Sequence, residues 1–302
     1  MSYLLNLIWG VPVEIFYLDT ESNEIKKTTQ YEYKNIPNKD KIIKFNFSNI
    51  TLDFDFDIEI FPNIEHLSFE SVNFTTLTSY AFISKCSKLN KLSLKNTNIK
   101  YLSALIGGSN INLKSLKIES NDIIDDVDIG QLSTLEELTI QNSKLSRIGD
   151  LNKLSNLKVL NLENNSLIKL NGLDRLTLIE KLNLSNNILL KIDEISNLNN
   201  LEEIEISNNQ IENLWDTEKT PNIKRIIINS NHIMNFNDLI KLKNLVAINI
   251  KDNPSNSLPN LLLLPNLNYD LVKIDWNKIL SVDGMKGFGL IKNIIKNLTL
   301  NI

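Results

Sequence analysis

Cysteine is nearly missing from this chain: 302 residues contain one, Cys86. A lone thiol excludes a disulfide framework and a cysteine-based metal site within the chain. Cys86 itself is expected to be a small buried residue. Histidine is almost as scarce, with His66 and His232 alone. Nine glycines and seven prolines are few for this length, so the backbone is expected to be regular, with few special turns. No apolar run reaches the ~18 residues of a membrane span. The apolar start "MSYLLNLIWGVPVEIF" has no basic lead-in and no clear small-residue cleavage site, so a leader peptide is not expected. An excess of positive charge is missing too. The net charge is −4, which gives no overall field to draw nucleic acid. An intracellular, reduced location is the expectation.

What the sequence has in abundance is repetition. "LKVLNLENNSL" opens at Leu157, "IEKLNLSNNIL" at Ile179, "LEEIEISNNQI" at Leu201, "IKRIIINSNHI" at Ile223 and "LVAINIKDNPS" at Leu245. Each start lies 22 residues after the last. "LEELTIQNSKL" at Leu135 and "LKSLKIESNDI" at Leu113 keep that step. Earlier copies open at Leu89, Ile64 and Ile42, and a degenerate one, "LVKIDWNKI", at Leu271. In "KLNLS", Leu182 and Leu184 alternate with Lys181, Asn183 and Ser185, the period of a half-buried strand. The second half of each unit brings apolar residues at every third position, as in Leu170, Leu173 and Leu176, which fits a 3₁₀-like or extended return. One unit cannot bury its leucines, whereas stacked neighbours can.

The motif L-x-x-L-x-L-x-x-N-x-L over residues 42–280 resembles the leucine-rich repeat, and its 22-residue form looks like the SDS22-like class, which includes the bacterial internalins. The resemblance implies an α/β leucine-rich repeat solenoid: a right-handed coil with a parallel, concave sheet of about eleven repeats and a short 3₁₀ or extended convex side. Residues 1–41 are expected to form an N-terminal cap. There "VEIFYL" (Val13 to Leu18) and "QYEYK" (Gln30 to Lys34) would pair across "DTESNEIKK" as a hairpin. The array would run over 42–258. Residues 259–302 would hold the degenerate last repeat and a capping helix, with Leu290, Ile291, Ile294, Ile295 and Leu298 on one face.

One column of the repeat is polar: Asn121, Ser143, Asn165, Asn187, Asn209, Asn231 and Asn253. The chain turns inward here, where backbone groups lack sheet partners. An amide side chain both donates and accepts, so this column is expected to tie successive turns together. One unit departs from its neighbours. "LWDTEKTP" puts Thr217 and Thr220 at core positions. Trp215, one place past the expected core residue Leu214, would sit at the outer rim, packed partly against it or exposed as an interface anchor.

Chemistry is hard to find. His66 and His232 are about seven repeats apart and occupy different repeat positions. Asp126, Asp128 and Glu137 fall at positions one, three and twelve of a calcium loop, but Gly130 and Gln131 stand where the fifth-position ligand and the sixth-position glycine belong. Gly284, Gly287 and Gly289 are not followed by the Lys-Ser/Thr of a phosphate loop. No catalytic residue, metal, cofactor or small-molecule substrate is expected. What remains is surface. The residues between the strand leucines form columns on the sheet, basic mostly toward the N-terminal half and acidic from Glu119 to Glu205. The expected partner-binding residues are Glu137, Asn161, Glu163, Lys181, Asn183, Glu203, Glu205, Arg225 and Ile227. The expectation is a monomeric, non-enzymatic scaffold that binds a protein partner, with no nucleic acid and no membrane. The resemblance also implies two narrower roles, a phosphatase-type regulatory subunit or a secreted adhesion protein of internalin type.

Overall fold

The computed structural model describes residues 13–19, 22, 24–29, 41–52, 62–75, 83, 85–100, 112–121, 129–149, 151–255 and 261–275. The helix expected at the C-terminus, the calcium-loop aspartates Asp126 and Asp128, and the "QYEYK" strand lie outside these residues. The chain divides into two compact units, Met1–Ser166 and Leu167–Ile302.

The first unit opens with an antiparallel pair, β1 (Val13–Leu18) and β2 (Ile25–Thr29). The second strand of this hairpin begins earlier than expected. The turn is limited to Asp19–Glu24, where Asp19 N donates to Glu24 O at 2.9 Å and Ser22 N to Asp19 Oδ1 at 3.1 Å. Ile25 carries a β-branched side chain of the kind that strands favour. Lys27 reaches Glu14 across the pair, and Lys26 reaches Asp19. Strand β1 also lies antiparallel to β3 (Ile42–Leu52). It therefore covers the edge that the first parallel strand would expose, and it buries Val13 and Ile15.

From β3 onward every pairing is parallel. β4 (His66–Phe74), β5 (Lys91–Lys95), β6 (Ser115–Glu119), β7 (Glu137–Gln141) and β8 (Val159–Asn161) follow in chain order. The early rungs use phenylalanine where later ones use leucine. Phe47 stacks on Phe69 with ring centroids 5.0 Å apart, and Phe69 meets Phe74 edge-on at 5.4 Å. The second unit repeats the parallel arrangement with β9 (Lys181–Asn183), β10 (Glu203–Glu205), β11 (Arg225–Ile227), β12 (Ala247–Asn249) and β13 (Val272–Lys273).

Among the described residues, the parallel strands are joined by 3₁₀ turns or extended segments that return on the other side of the core, such as Leu173–Arg175 and Asp193–Asn197. Bonds from residue i+3 to residue i link Leu176 N to Leu173 O at 3.1 Å and Ile179 N to Leu176 O at 3.0 Å. That pattern points every third residue inward: Leu173, Leu176 and Ile179 are all buried. Among the described residues no α-helix occurs, and no helix is long and apolar enough to cross a membrane. Parallel strands joined by short returns, with leucines alternating inward, make the fold a leucine-rich repeat solenoid.

Candidate functional site: the outward side of the sheet

The sheet can present side chains in register because asparagines hold its rungs in place. Asn209 shows how in the second unit. Its Oδ1 accepts from Leu189 N at 3.0 Å, and its Nδ2 donates to Leu184 O at 3.0 Å, Ser207 O at 3.2 Å and Ile206 O at 3.3 Å. Asn231 and Asn253 repeat this set one and two rungs on. Asn187 Oδ1 accepts from Leu167 N at 3.0 Å, and its Nδ2 donates to Leu184 O at 3.0 Å. In the first unit, Asn165 Oδ1 accepts from Leu145 N at 3.0 Å and Asn121 Oδ1 from Thr97 N at 2.9 Å. Ser143 manages less, with one 2.8 Å bond to Gln141 O and one long contact from Asn121 N at 3.5 Å, because a hydroxyl has a shorter reach and only one proton.

Two further columns escaped the sequence reading. The residue just before the position of the buried asparagine column, whichever residue fills that position, has a left-handed backbone in every described copy: Asn49, Ser71, Asn96, Ser120, Asn142, Asn164, Asn186, Asn208, Ser230 and Asp252 have φ of 51–58°. Asn, Asp and Ser appear there because they tolerate that conformation better than other residues with a Cβ, Asn and Asp most of all. The second column precedes the strand. Asn156, Asn200, Asn222, Asn244 and Asn266 each donate Nδ2 to a carbonyl 23 residues earlier, at 2.8–3.0 Å. Its signal was the same 22-residue step. Leu178 interrupts it and is left exposed.

Trp215 is not at the rim. It is 2% exposed, whereas Leu214, expected in the core, is only half-buried. Thr217 and Thr220 are buried where neighbouring turns place Ile195 and Leu198, or Leu239 and Leu242. The indole is buried together with the two threonines. Its Nε1 donates to Thr220 Oγ1 at 2.9 Å, Thr220 Oγ1 donates to Thr217 O at 3.3 Å, and Thr217 Oγ1 donates to Asp238 O at 2.9 Å. The backbone shifts the inward position by one residue, and Asp216 caps the turn that follows through Glu218 N.

The outward side of the second unit carries charges that are paired with one another. Lys181 and Glu203 face each other across β9 and β10 and form an ion pair at 2.7 Å. The Glu203 carboxylate raises the Lys181 ammonium above its ordinary pKa. Arg225 stands in register with Glu203 but reaches diagonally to Glu205, at 3.5 Å. Lys224 and Glu202 pair at 2.7 Å just before their strands. Asn183 Oδ1 accepts from Ser185 N at 3.0 Å, and Ile227 is half-buried between Glu205 and Asn249. In the first unit Glu137 accepts from Ser115 Oγ at 3.1 Å. Asn161 Nδ2 donates to Gln141 Oε1 at 3.2 Å, and its Oδ1 accepts from Glu163 N at 3.0 Å.

A different row crosses the start of the sheet. Lys44, His66 and Lys91 are cross-strand neighbours on β3, β4 and β5. Lys44 Nζ lies 4.6 Å from the centre of the Phe16 ring, a cation–π contact. Burial pushes the His66 pKa below its ordinary value, and Lys91 and Lys44 push the same way against Glu65. Elsewhere in this unit, burial drives the Cys86 thiol up to about 12. The native chain is therefore expected to resist iodoacetamide at pH 8 and to react only when unfolded, because the thiolate is the nucleophile. Mass spectrometry of the two samples checks this, and rapid native alkylation would contradict the burial of Cys86.

No protein-family model matches the chain, and no curated protein sequence does. Its fold is shared with solved structures. An internalin of Listeria monocytogenes superposes with a TM-score of 0.64 at 20% identity, over 83% of this chain and 76% of that one. A leucine-rich repeat protein of Leptospira interrogans gives 0.62 at 22% identity, over 72% and 62%. The leucine-rich repeat ectodomain of a plant membrane receptor kinase from Arabidopsis thaliana, solved in complex with Casparian strip integrity factor 2, gives 0.60 at 18%, over 75% and 29%. At these identities the likeness is one of fold.

Proposed function

We propose that the chain is a non-catalytic interaction scaffold that binds a polypeptide partner through the outward side of its parallel sheet. The observation that carries this reading is the register. Each strand spends its backbone bonds inside the sheet and its leucines inside the core. What it offers to solvent is two or three side chains, most of them polar, aligned with those of the next rung. The asparagine columns fix that lattice, so a partner meets a surface that is already ordered, and binding costs less conformational entropy. The plant receptor ectodomain, solved in complex with Casparian strip integrity factor 2, is an example of the same fold with a bound partner. Glu137, Asn161, Glu163, Lys181, Asn183, Glu203, Glu205, Arg225 and Ile227 belong to this surface. The scaffold works as a monomer and without cofactor. An intracellular location accords with the single buried thiol, and the acceptor sequence at Asn183 is then expected to carry no glycan.

The test is capture of a stoichiometric partner by the full chain, compared with two charge-swapped variants. One carries Glu203→Lys with Arg225→Glu, the other Lys44→Glu with Lys91→Glu. Exposed ion pairs contribute about 0–1 kcal/mol to stability, and substitutions of surface side chains such as Lys44 and Lys91 cost a similarly small amount, so both variants should fold. Capture should fall at least about tenfold in one of them, a loss of about 1.4 kcal/mol in binding. A partner held equally by all three chains would place the interface off the sheet and overturn the reading.

A further inference from the structure

We propose that the row Lys44–His66–Lys91 is the docking site for an extended acidic segment of the partner, one with carboxylates at alternate positions. This rests on the sheet-binding reading above and narrows it to one end of the sheet and one partner chemistry.

The argument begins with which charges are already paired. In the second unit Lys181, Glu202, Glu203, Lys224, Glu205 and Arg225 are matched to one another. In the first unit Lys95 is matched to Glu70, and Lys117 to Glu119. Among the described residues, neither Lys44 nor Lys91 makes an ion pair. Lys44 rests on the Phe16 ring, and Lys91 is exposed. The acids around the row are largely held by other groups. Glu14 is bound by Lys27 and accepts from Asn46 Nδ2 at 2.9 Å, although it also feels Lys44. Glu65 accepts from Asn90 Nδ2 at 3.3 Å and opposes the lysines only in part. The next members of the row are Ser115 and Glu137, bonded to each other, where the sign of the row reverses. The result is a basic strip three rungs long, with the half-buried polar side chains Asn46, Ser68 and Ser93 beside it.

Its dimensions select the ligand. Three rungs about 4.8 Å apart span roughly 10 Å, and carboxylates on one face of an extended chain recur every ~6.8 Å. Two such carboxylates therefore fit along the strip. A long polyanion such as nucleic acid would also meet the rest of a chain whose net charge is −4, whereas a short acidic segment needs only the strip. His66 makes docking depend on pH. Burial and the two lysines disfavour its charged form, while Glu65 and the side chain of Asn90 favour it. A docked carboxylate adds a negative neighbour and raises the His66 pKa. Linkage then requires affinity to rise as pH falls and the imidazole takes up its proton.

Fluorescence anisotropy with the full chain and a labelled peptide of four Glu-Ser repeats tests this, with a Lys-Ser peptide and an eight-residue oligothymidylate as comparisons. The acidic peptide is expected to bind and the Lys-Ser peptide not to. Affinity should rise up to about tenfold from pH 8 to pH 5.5, the gain for a one-unit shift of His66. Glu side chains stay ionised over that range. Lys44→Glu with Lys91→Glu should cost more than tenfold. His66→Gln should keep binding at pH 8 and abolish the pH dependence. Absence of acidic-peptide binding, binding unchanged by the lysine swap, or oligonucleotide binding as tight as peptide binding would each overturn the proposal. In the first case, partner capture lost through Glu203→Lys with Arg225→Glu would leave the sheet-binding reading intact.

Discussion

Trp215→Ala is expected to lower the stability of the chain by about 3–5 kcal/mol in urea denaturation, the range for truncating a large buried aromatic. The indole is 2% exposed and is bonded to Thr220, which is buried as Thr217 is. Two further variants separate volume from hydrogen bonding. Trp215→Phe keeps most of the volume and removes the Nε1 donor to Thr220 Oγ1, at a cost of about 1 kcal/mol. Combining Trp215→Ala with Thr217→Leu and Thr220→Leu restores apolar side chains at the two places where other turns carry Leu or Ile. That combination should recover most of the loss. A Trp215→Ala midpoint within error of the parent's would mean that the ring does not support the core.

Asn209→Leu is expected to cost about 2–3 kcal/mol in the same assay. The size follows from which groups are stranded. Leu184 O still accepts from Asn187, Ile206 O from Asn231, and Ser207 O from Asn186 N. Leu189 N, however, depends on Asn209 Oδ1. One orphaned buried donor costs about 1–3 kcal/mol, and the three bonds from Asn209 Nδ2 are lost with it. Asn208→Ser is the natural control. Asn208 precedes Asn209 in sequence but is exposed, donates its Nδ2 to Asn186 Oδ1 at 2.8 Å, and occupies a left-handed site of the kind that Ser120 and Ser230 also fill. Its effect should stay within about 0.5 kcal/mol. Equal losses in the two variants would refute the tying role of the buried column.

The two cases show why the sequence is read easily in some places and misread in others. The parallel rungs were legible because a strand that must bury every second residue has to write that alternation into its sequence, 22 residues apart, as Leu182 with Leu184 and Ile204 with Ile206 do. The return segments were legible for a related reason, since a 3₁₀ turn inserts every third residue into the core. The N-terminal hairpin was placed too late because "IKKTT" looks polar. Its strand is stabilised by partners on β1, Lys27 with Glu14, that no local pattern reveals. Trp215 was misplaced because counting by 22 assumes that every rung places the same ordinal residue inward. The rung that carries two threonines moves its neighbour in by one place instead.

The surface divides along the same line. By itself the sequence determined the repeat, the strands and the inward faces, because burying leucine in stacked rungs forces a period that any solution must obey. It also listed the outward columns, Lys181 above Glu203 above Arg225. Only the tertiary structure decided which of those charges are already paired. Pairing depends on side-chain reach across strands, so Arg225 passes over its in-register neighbour Glu203 to reach Glu205. Lys44 and Lys91, two rungs apart with His66 between them, are left with positive charge to offer.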